Sequence, residues 1–229
     1  PQTLDNGTLK LNGGTLSVKD DLTISSAIAH SLDSTVDISS GSTLSHSGGA
    51  LNIGARTLTF SGGGTFTNAD KLVLNDAGGV LEFAGDTATT VSHVKLNSGD
   101  TTNAPTLKMA SNGVIKNLTH TEFSEINFAN GKSLTIEQAF DLPTGKQMKI
   151  AGAAGTLTLG DNMTLAGTLN LPVANTNISG GTVTLNGGTV QVDADTNFIS
   201  DLVHQSNSSI VVADGKNLNY SGSELNVGA

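Results

Sequence analysis

The chain has 229 residues, with 20 acidic and 11 basic side chains and a formal net charge of −9, so it has no clustered basic surface for nucleic acid and little attraction to anionic membranes. With 28 glycines, no cysteine, no tryptophan, one tyrosine and seven phenylalanines, any core must be aliphatic, and disulfides and thiolate metal sites are excluded. Disorder is excluded too, because β-branched residues and leucines recur regularly along the whole sequence.

Taken in chain order, the elements are apolar–x–apolar pairs. The first half has Leu9/Leu11, Leu16/Val18, Leu22/Ile24, Val36/Ile38, Leu51/Ile53, Leu58/Phe60, Leu72/Leu74, Leu81/Phe83, Val94/Leu96 and Leu107/Met109. The second has Ile126/Phe128, Leu134/Ile136, Met148/Ile150, Leu157/Leu159, Met163/Leu165, Leu169/Leu171, Val183/Leu185, Val190/Val192, Ile210/Val212, Leu218/Tyr220 and Leu225/Val227. Residues two apart in a strand point to one face, so each pair predicts a short strand with one buried side. The residue between them is polar almost throughout, as at Lys10, Ser17, Thr23, Asp37, Asn52, Thr59 and Glu82. Wider gaps are filled by Ile28, Ile178 and Leu202/Val203.

Between pairs lie turns: Asn12-Gly13-Gly14, Ser47-Gly48-Gly49, Gly62-Gly63-Gly64, Asp76-Ala77-Gly78-Gly79, Asn130-Gly131, Asn186-Gly187-Gly188 and Asp214-Gly215. The stretch 97–106 is expected to project as a loop. Pairs recur every six to nine residues or so, close to a heptad, yet a coiled-coil seam needs apolars three and four apart. Glycine and asparagine at every break also oppose helix. Two strand folds compete. Asn-Gly turns suit the hairpins of an antiparallel sandwich, but the strands are short for one. The repetition of KLNGGTLSV (10–18) as TLNGGTVQV (184–192) favours a stack of like units. Three sides of about seven residues make a coil of roughly 21–24 residues, and the coil itself supplies the long connection that parallel strands require. The expected architecture is therefore an all-β, single-domain parallel solenoid spanning 1–229, with about ten coils at about 4.8 Å each. Leu16, Val18, Leu58, Leu157, Leu159, Val190 and Val192 should line its core, and Gly14 and Gly188 should occupy equivalent corners.

The repeated G-G-T-[LV]-x-[VIL] and x-L-x-[LIVF]-x-[GN] phrases resemble those of the right-handed parallel β-helices of filamentous-haemagglutinin-like adhesins and autotransporter passenger domains. The resemblance covers nearly the whole chain. It implies secretion, cell-surface display and an adhesive role towards a receptor or glycan on a host or neighbouring cell.

No catalytic, cofactor or metal constellation is expected. The acidic clusters Asp20/Asp21, Glu122/Glu125 and Asp193/Asp195 read as solvated turn carboxylates, although a polysaccharide lyase or hydrolase would need such groups. Arg56, the one arginine, reads as an outward or corner residue. His30, His46, His93, His120 and His204 are far apart and are expected at exposed strand or corner positions. Phosphate loops and nucleophile elbows are missing. Phe60, Phe83 and Phe128 fall on inward positions, which leaves no aromatic sugar platform. Thr-x-Thr at Thr57–Thr59, Thr156–Thr158 and Thr182–Thr184 raises ice binding, but the mixed charge of neighbouring outward positions opposes it. Sequons stand at Asn6, Asn117, Asn162, Asn177 and Asn207. No apolar run is long enough to span a membrane. The chain starts at Pro1 with no export signal, so it reads as a segment of a longer protein. The leading expectation is a non-enzymatic structural and adhesive stalk. A filament subunit that stacks head to tail through bare ends is the alternative, and a polysaccharide-cleaving enzyme is the third.

Overall fold

The computed structural model describes residues 2–223 and Leu225; the expected pair Leu225/Val227 therefore lies partly outside the described residues. Among the described residues there is no helix, and the strands form ladders that are all parallel. The only antiparallel contacts among them are the isolated bridges Ser39–Gly63 and Ser98–Phe123. The hairpin sandwich is thereby ruled out, and the chain winds as a β-solenoid of about ten turns.

One coil shows how the sequence builds the rest. Gly155–Leu159, Met163–Leu165 and Thr168–Leu171 are three short strands separated by corners. Their inward residues are Leu157, Leu159, Met163, Leu165, Leu169 and Leu171, all buried. The next coil places Ile178 over Leu157, Val183 over Met163, Leu185 over Leu165, Val190 over Leu169 and Val192 over Leu171. Like stacks on like, so the interior is a continuous apolar column, and each fully buried aliphatic side chain contributes about 2 kcal/mol.

Three faces result. The first runs from Gln2–Leu4 to Leu218–Tyr220, and the second from Thr15–Val18 to Ser209–Val212. The third begins with Thr8–Asn12 under Ala27–Leu32 and ends with the four strands from Phe140–Leu142 to Asp201–Ser206. Coil length varies around the expected value. The coil that carries the chain from Val80 to its stacked partner Thr106 is longer than the next, from Thr106 to Glu125. The longer coil contains the loop 97–105, whose tip at Gly99–Asn103 is exposed, as expected.

Three expectations need correction. A coil does not always have three separate short sides, because Thr89–Leu96 and Gly113–His120 are eight-residue strands that each serve two faces without a turn. Val91-Ser92-His93-Val94 contains no glycine or asparagine, so nothing in the sequence marks this corner. Leu16 is only half-buried, since it lies in the first coil and packs against the core from one side. Ile210 and Val212 are exposed although they point inward, because no described coil covers them. The remaining residues expected to line the core, Val18, Leu58, Leu157, Leu159, Val190 and Val192, are buried.

Gly14 and Gly188 do occupy equivalent corners, each leading into a strand of the second face. The preceding glycines have nearly the same left-handed φ, 86° at Gly13 and 87° at Gly187. Side chains with a Cβ rarely adopt that conformation.

Candidate functional surfaces

Outward-facing side chains form rows along the axis, one per coil, and Glu125 of the Glu122/Glu125 cluster belongs to one of them. Glu82 pairs with Lys108 at 2.9 Å and Glu125 with Lys149 at 3.0 Å, each one coil apart on the second face. Glu122 pairs with Lys146, whose ammonium also lies 5.7 Å from the centre of the Phe123 ring. Lys19 pairs with Asp37 at 3.2 Å. Hydrogen bonds from Ser61 and Lys19 hold the Asp37 carboxyl below its ordinary pKa. These are surface ion pairs, each worth a few tenths of a kcal/mol, so they add little stability.

Four further carboxylates close corners. Asp21 Oδ1 accepts the backbone N–H of Thr43 at 2.9 Å, and Asp195 Oδ1 that of Asn217 at 2.8 Å. Asp33 does the same for Thr57 at 2.8 Å, and Asp201 for Ser223 at 2.7 Å, which lowers the Asp201 pKa. In every case the acceptor lies one coil before the donor. Asp193 instead accepts from Gln191 Nε2 at 2.6 Å, two residues back on the same coil. Among the described residues, no three His, Asp or Glu side chains gather as a metal site would require. Arg56 is exposed, and its Nε donates to the carbonyl of Ser31 at 3.4 Å.

The histidines are not the exposed residues the sequence suggested. His46 and His120 are buried and face the interior, and the other three are half-buried. His46 stacks on Phe66, with ring centres 6.4 Å apart, and its Nε2 lies 3.2 Å from the Ser26 carbonyl. A carbonyl only accepts, so this nitrogen carries the proton. By the same logic the proton is on Nδ1 in His30, 2.8 Å from the Ile53 carbonyl, and in His93, 2.9 Å from the Asn68 carbonyl. His120 Nε2 is 2.8 Å from Ser124 Oγ, inside the wall of the solenoid. Burial pushes the His120 pKa down to about 4, against the opposing effects of the Gln147 backbone and the charge of Glu122, and burial lowers His46 as well.

Two polar arrangements escaped the sequence reading. Asn68 points inward and binds the backbone of His93 at both ends, accepting its N–H at 3.2 Å and donating to its carbonyl at 3.1 Å. An amide ladder also climbs the outside of the first face. Asn219 donates to Asn197 at 3.2 Å, Asn197 to Asn177 at 2.9 Å, and Asn177 to Thr156 at 3.3 Å. The signal was present as asparagines spaced one coil apart, though only the register reveals it. The threonines of the Thr-x-Thr segments do not align into a flat array: the row through Thr59 continues with Glu82, Lys108 and Asn127. Phe60, Phe83 and Phe128 are buried as expected. Of the sequons, Asn6, Asn162 and Asn207 are exposed.

Surface depressions are shallow. One of them, lined by Gln2, Asp20, Asp21, Gly41 and Ser42, follows a corner across the first coils. No described helix is long and apolar enough to cross a membrane. Comparison with known proteins adds no relative: no family model, no curated protein and no solved structure matches the chain.

Proposed function

We propose that the chain is a non-enzymatic structural segment, a stiff stalk of a secreted or surface-displayed bacterial protein that holds adhesive surfaces away from the cell. The observation that carries this reading is the apolar column that runs through the coils, enclosed by three faces of parallel strands. Bending such a rod opens hydrogen bonds on one side of several coils at once, so stiffness follows from the winding. The outward rows tolerate varied polar side chains without disturbing the column, which suits a surface that binds a receptor or glycan. The carboxylates support this role, because those described above hold a neighbouring group, most of them tying one coil to the next, rather than converging on a substrate.

Antibodies raised against the rod test the proposal on intact producing cells. Surface labelling that disappears when the cells are treated with protease is the expected result. Labelling that appears only after the cells are permeabilised would remove secretion, and the stalk with it.

A further inference from the structure

The repeated nine-residue phrase is the visible part of a longer repeat. Aligned without a gap, with Gln2 against Thr176 and Ala55 against Ala229, segments 2–55 and 176–229 are identical at 20 of 54 positions. Four successive strands agree in full. Strands Thr8–Asn12, Thr15–Val18, Leu22–Ile24 and Ala27–Leu32 recur, residue for residue, as Thr182–Asn186, Thr189–Val192, Thr196–Phe198 and Asp201–Ser206. Even an irregularity recurs: the register slips between Leu11 and Asn12, and again between Leu185 and Asn186.

The corner hydrogen bonds are copied as well. Gly13 N–H donates to Ser34 Oγ at 3.1 Å, and Gly187 N–H to Ser208 Oγ at 2.9 Å. Ser34 Oγ donates to the Leu32 carbonyl at 2.7 Å, and Ser208 Oγ to the Ser206 carbonyl at 2.8 Å. The Asp21–Thr43 bond returns as Asp195–Asn217. Generic stacking of similar coils does not reproduce a bulge, two serine corners and an aspartate bond at one fixed offset.

The copies differ in what lies on them. Strand Ser34–Ile38 carries Thr57–Ser61, with Phe60 seated over Val36. Its counterpart Ser209–Val212 carries no described strand. Val36 and Ile38 are accordingly 2% and 0% exposed, whereas Ile210 and Val212 at the same positions are 36% and 40% exposed. Among the described residues, every exposed large apolar side chain lies at position 4 or 32 or from 199 onward, so the middle of the rod has none.

We propose that the C-terminal face of the solenoid is built to receive, in sequence, a second copy of the segment that begins at Arg56, so that eight coils form one period of the winding. The entering strand Thr57–Ser61 would lie on Ser209–Val212 as it lies on Ser34–Ile38. Asn207, which stands where Asp33 does, offers a side-chain oxygen to the incoming Thr57 N–H. One position departs from the pattern: Val211 replaces Asp37, which accepts from Ser61 Oγ at 2.9 Å, so that bond is lost at the junction. The proposal rests on the repeat and its burial, and stands whether or not the rod is a surface stalk.

The test extends the full chain after Ala229 with a second copy of residues 56–229. A control extension begins at Thr65, which brings a first-face strand where a second-face strand is due. The in-phase fusion should melt in one transition above that of the parent, with amide exchange at Ile210, Val211 and Val212 slowed at least about tenfold. The control should leave those amides exchanging as in the parent. Two separate transitions, unprotected amides in the in-phase fusion, or equal protection in the control would overturn the proposal. So would concentration-dependent protection of the parent alone, which would mean that the face takes the first coil of another molecule instead.

Discussion

A polar side chain can face the interior of a solenoid only where a neighbouring backbone or side chain satisfies it, and His46, Asn68 and His120 mark three such places. These residues also explain what the sequence concealed. A search for two aliphatics two apart finds Leu157/Leu159, but passes over Leu44/His46, Phe66/Asn68 and Thr196/Phe198, whose inward partner is polar. Polarity suggested exposure for the histidines, and only the register shows which carbonyl or hydroxyl lies within reach. His120 gives a measurable consequence. Its pKa of about 4 in the fold, against an ordinary value of 6.5, means that the unfolded chain takes up a proton first as pH falls. Stability should therefore be full above pH 6.5 and decline as pH drops to about 4, by about 3 kcal/mol from this residue. His46 adds in the same direction. Urea unfolding of His120→Gln across that range should show a flatter profile, and an unchanged slope would contradict the assignment.

At the scale of strands and corners, the legible part was the strand with two apolar inward residues and the glycine turn that ends it. The eight-residue strands Thr89–Leu96 and Gly113–His120 are not legible, because the corner of the first has no turn residue and that of the second has only Asn117. Corners also carry a position effect that depends on stacking. A Cβ on Gly188 would meet the Leu165 carbonyl oxygen at 2.4 Å, whereas one on Gly14 would meet nothing within 4 Å. The two glycines are equivalent in local geometry, but only Gly188 has a coil beneath it. Gly188→Ala should then cost about 2–4 kcal/mol through the backbone shift it forces. Gly14→Ala should be neutral or stabilising by about 0.5 kcal/mol, through the entropy of the unfolded chain. Denaturation midpoints of the two variants decide this, and equal losses would place both corners wrongly.

At the scale of the whole molecule, winding converts a local pattern into a rod whose length counts coils instead of residues. The row Thr57, Val80, Thr106, Glu125, Lys149, Asn170, Gln191 climbs the second face in six steps of unequal chain length. Each step rises about 4.8 Å, however much chain the coil spends on it. The chain has no cysteine, so pairs of introduced cysteines can carry spin labels without background. Electron–electron distances from residue 191 to residues 149, 125, 80 and 57 should rise in proportion to coil number, from about 10 Å at two coils to about 29 Å at six. A series that failed to increase step by step, or that brought residue 57 closer to 191 than residue 125, would contradict the parallel winding on which the account depends.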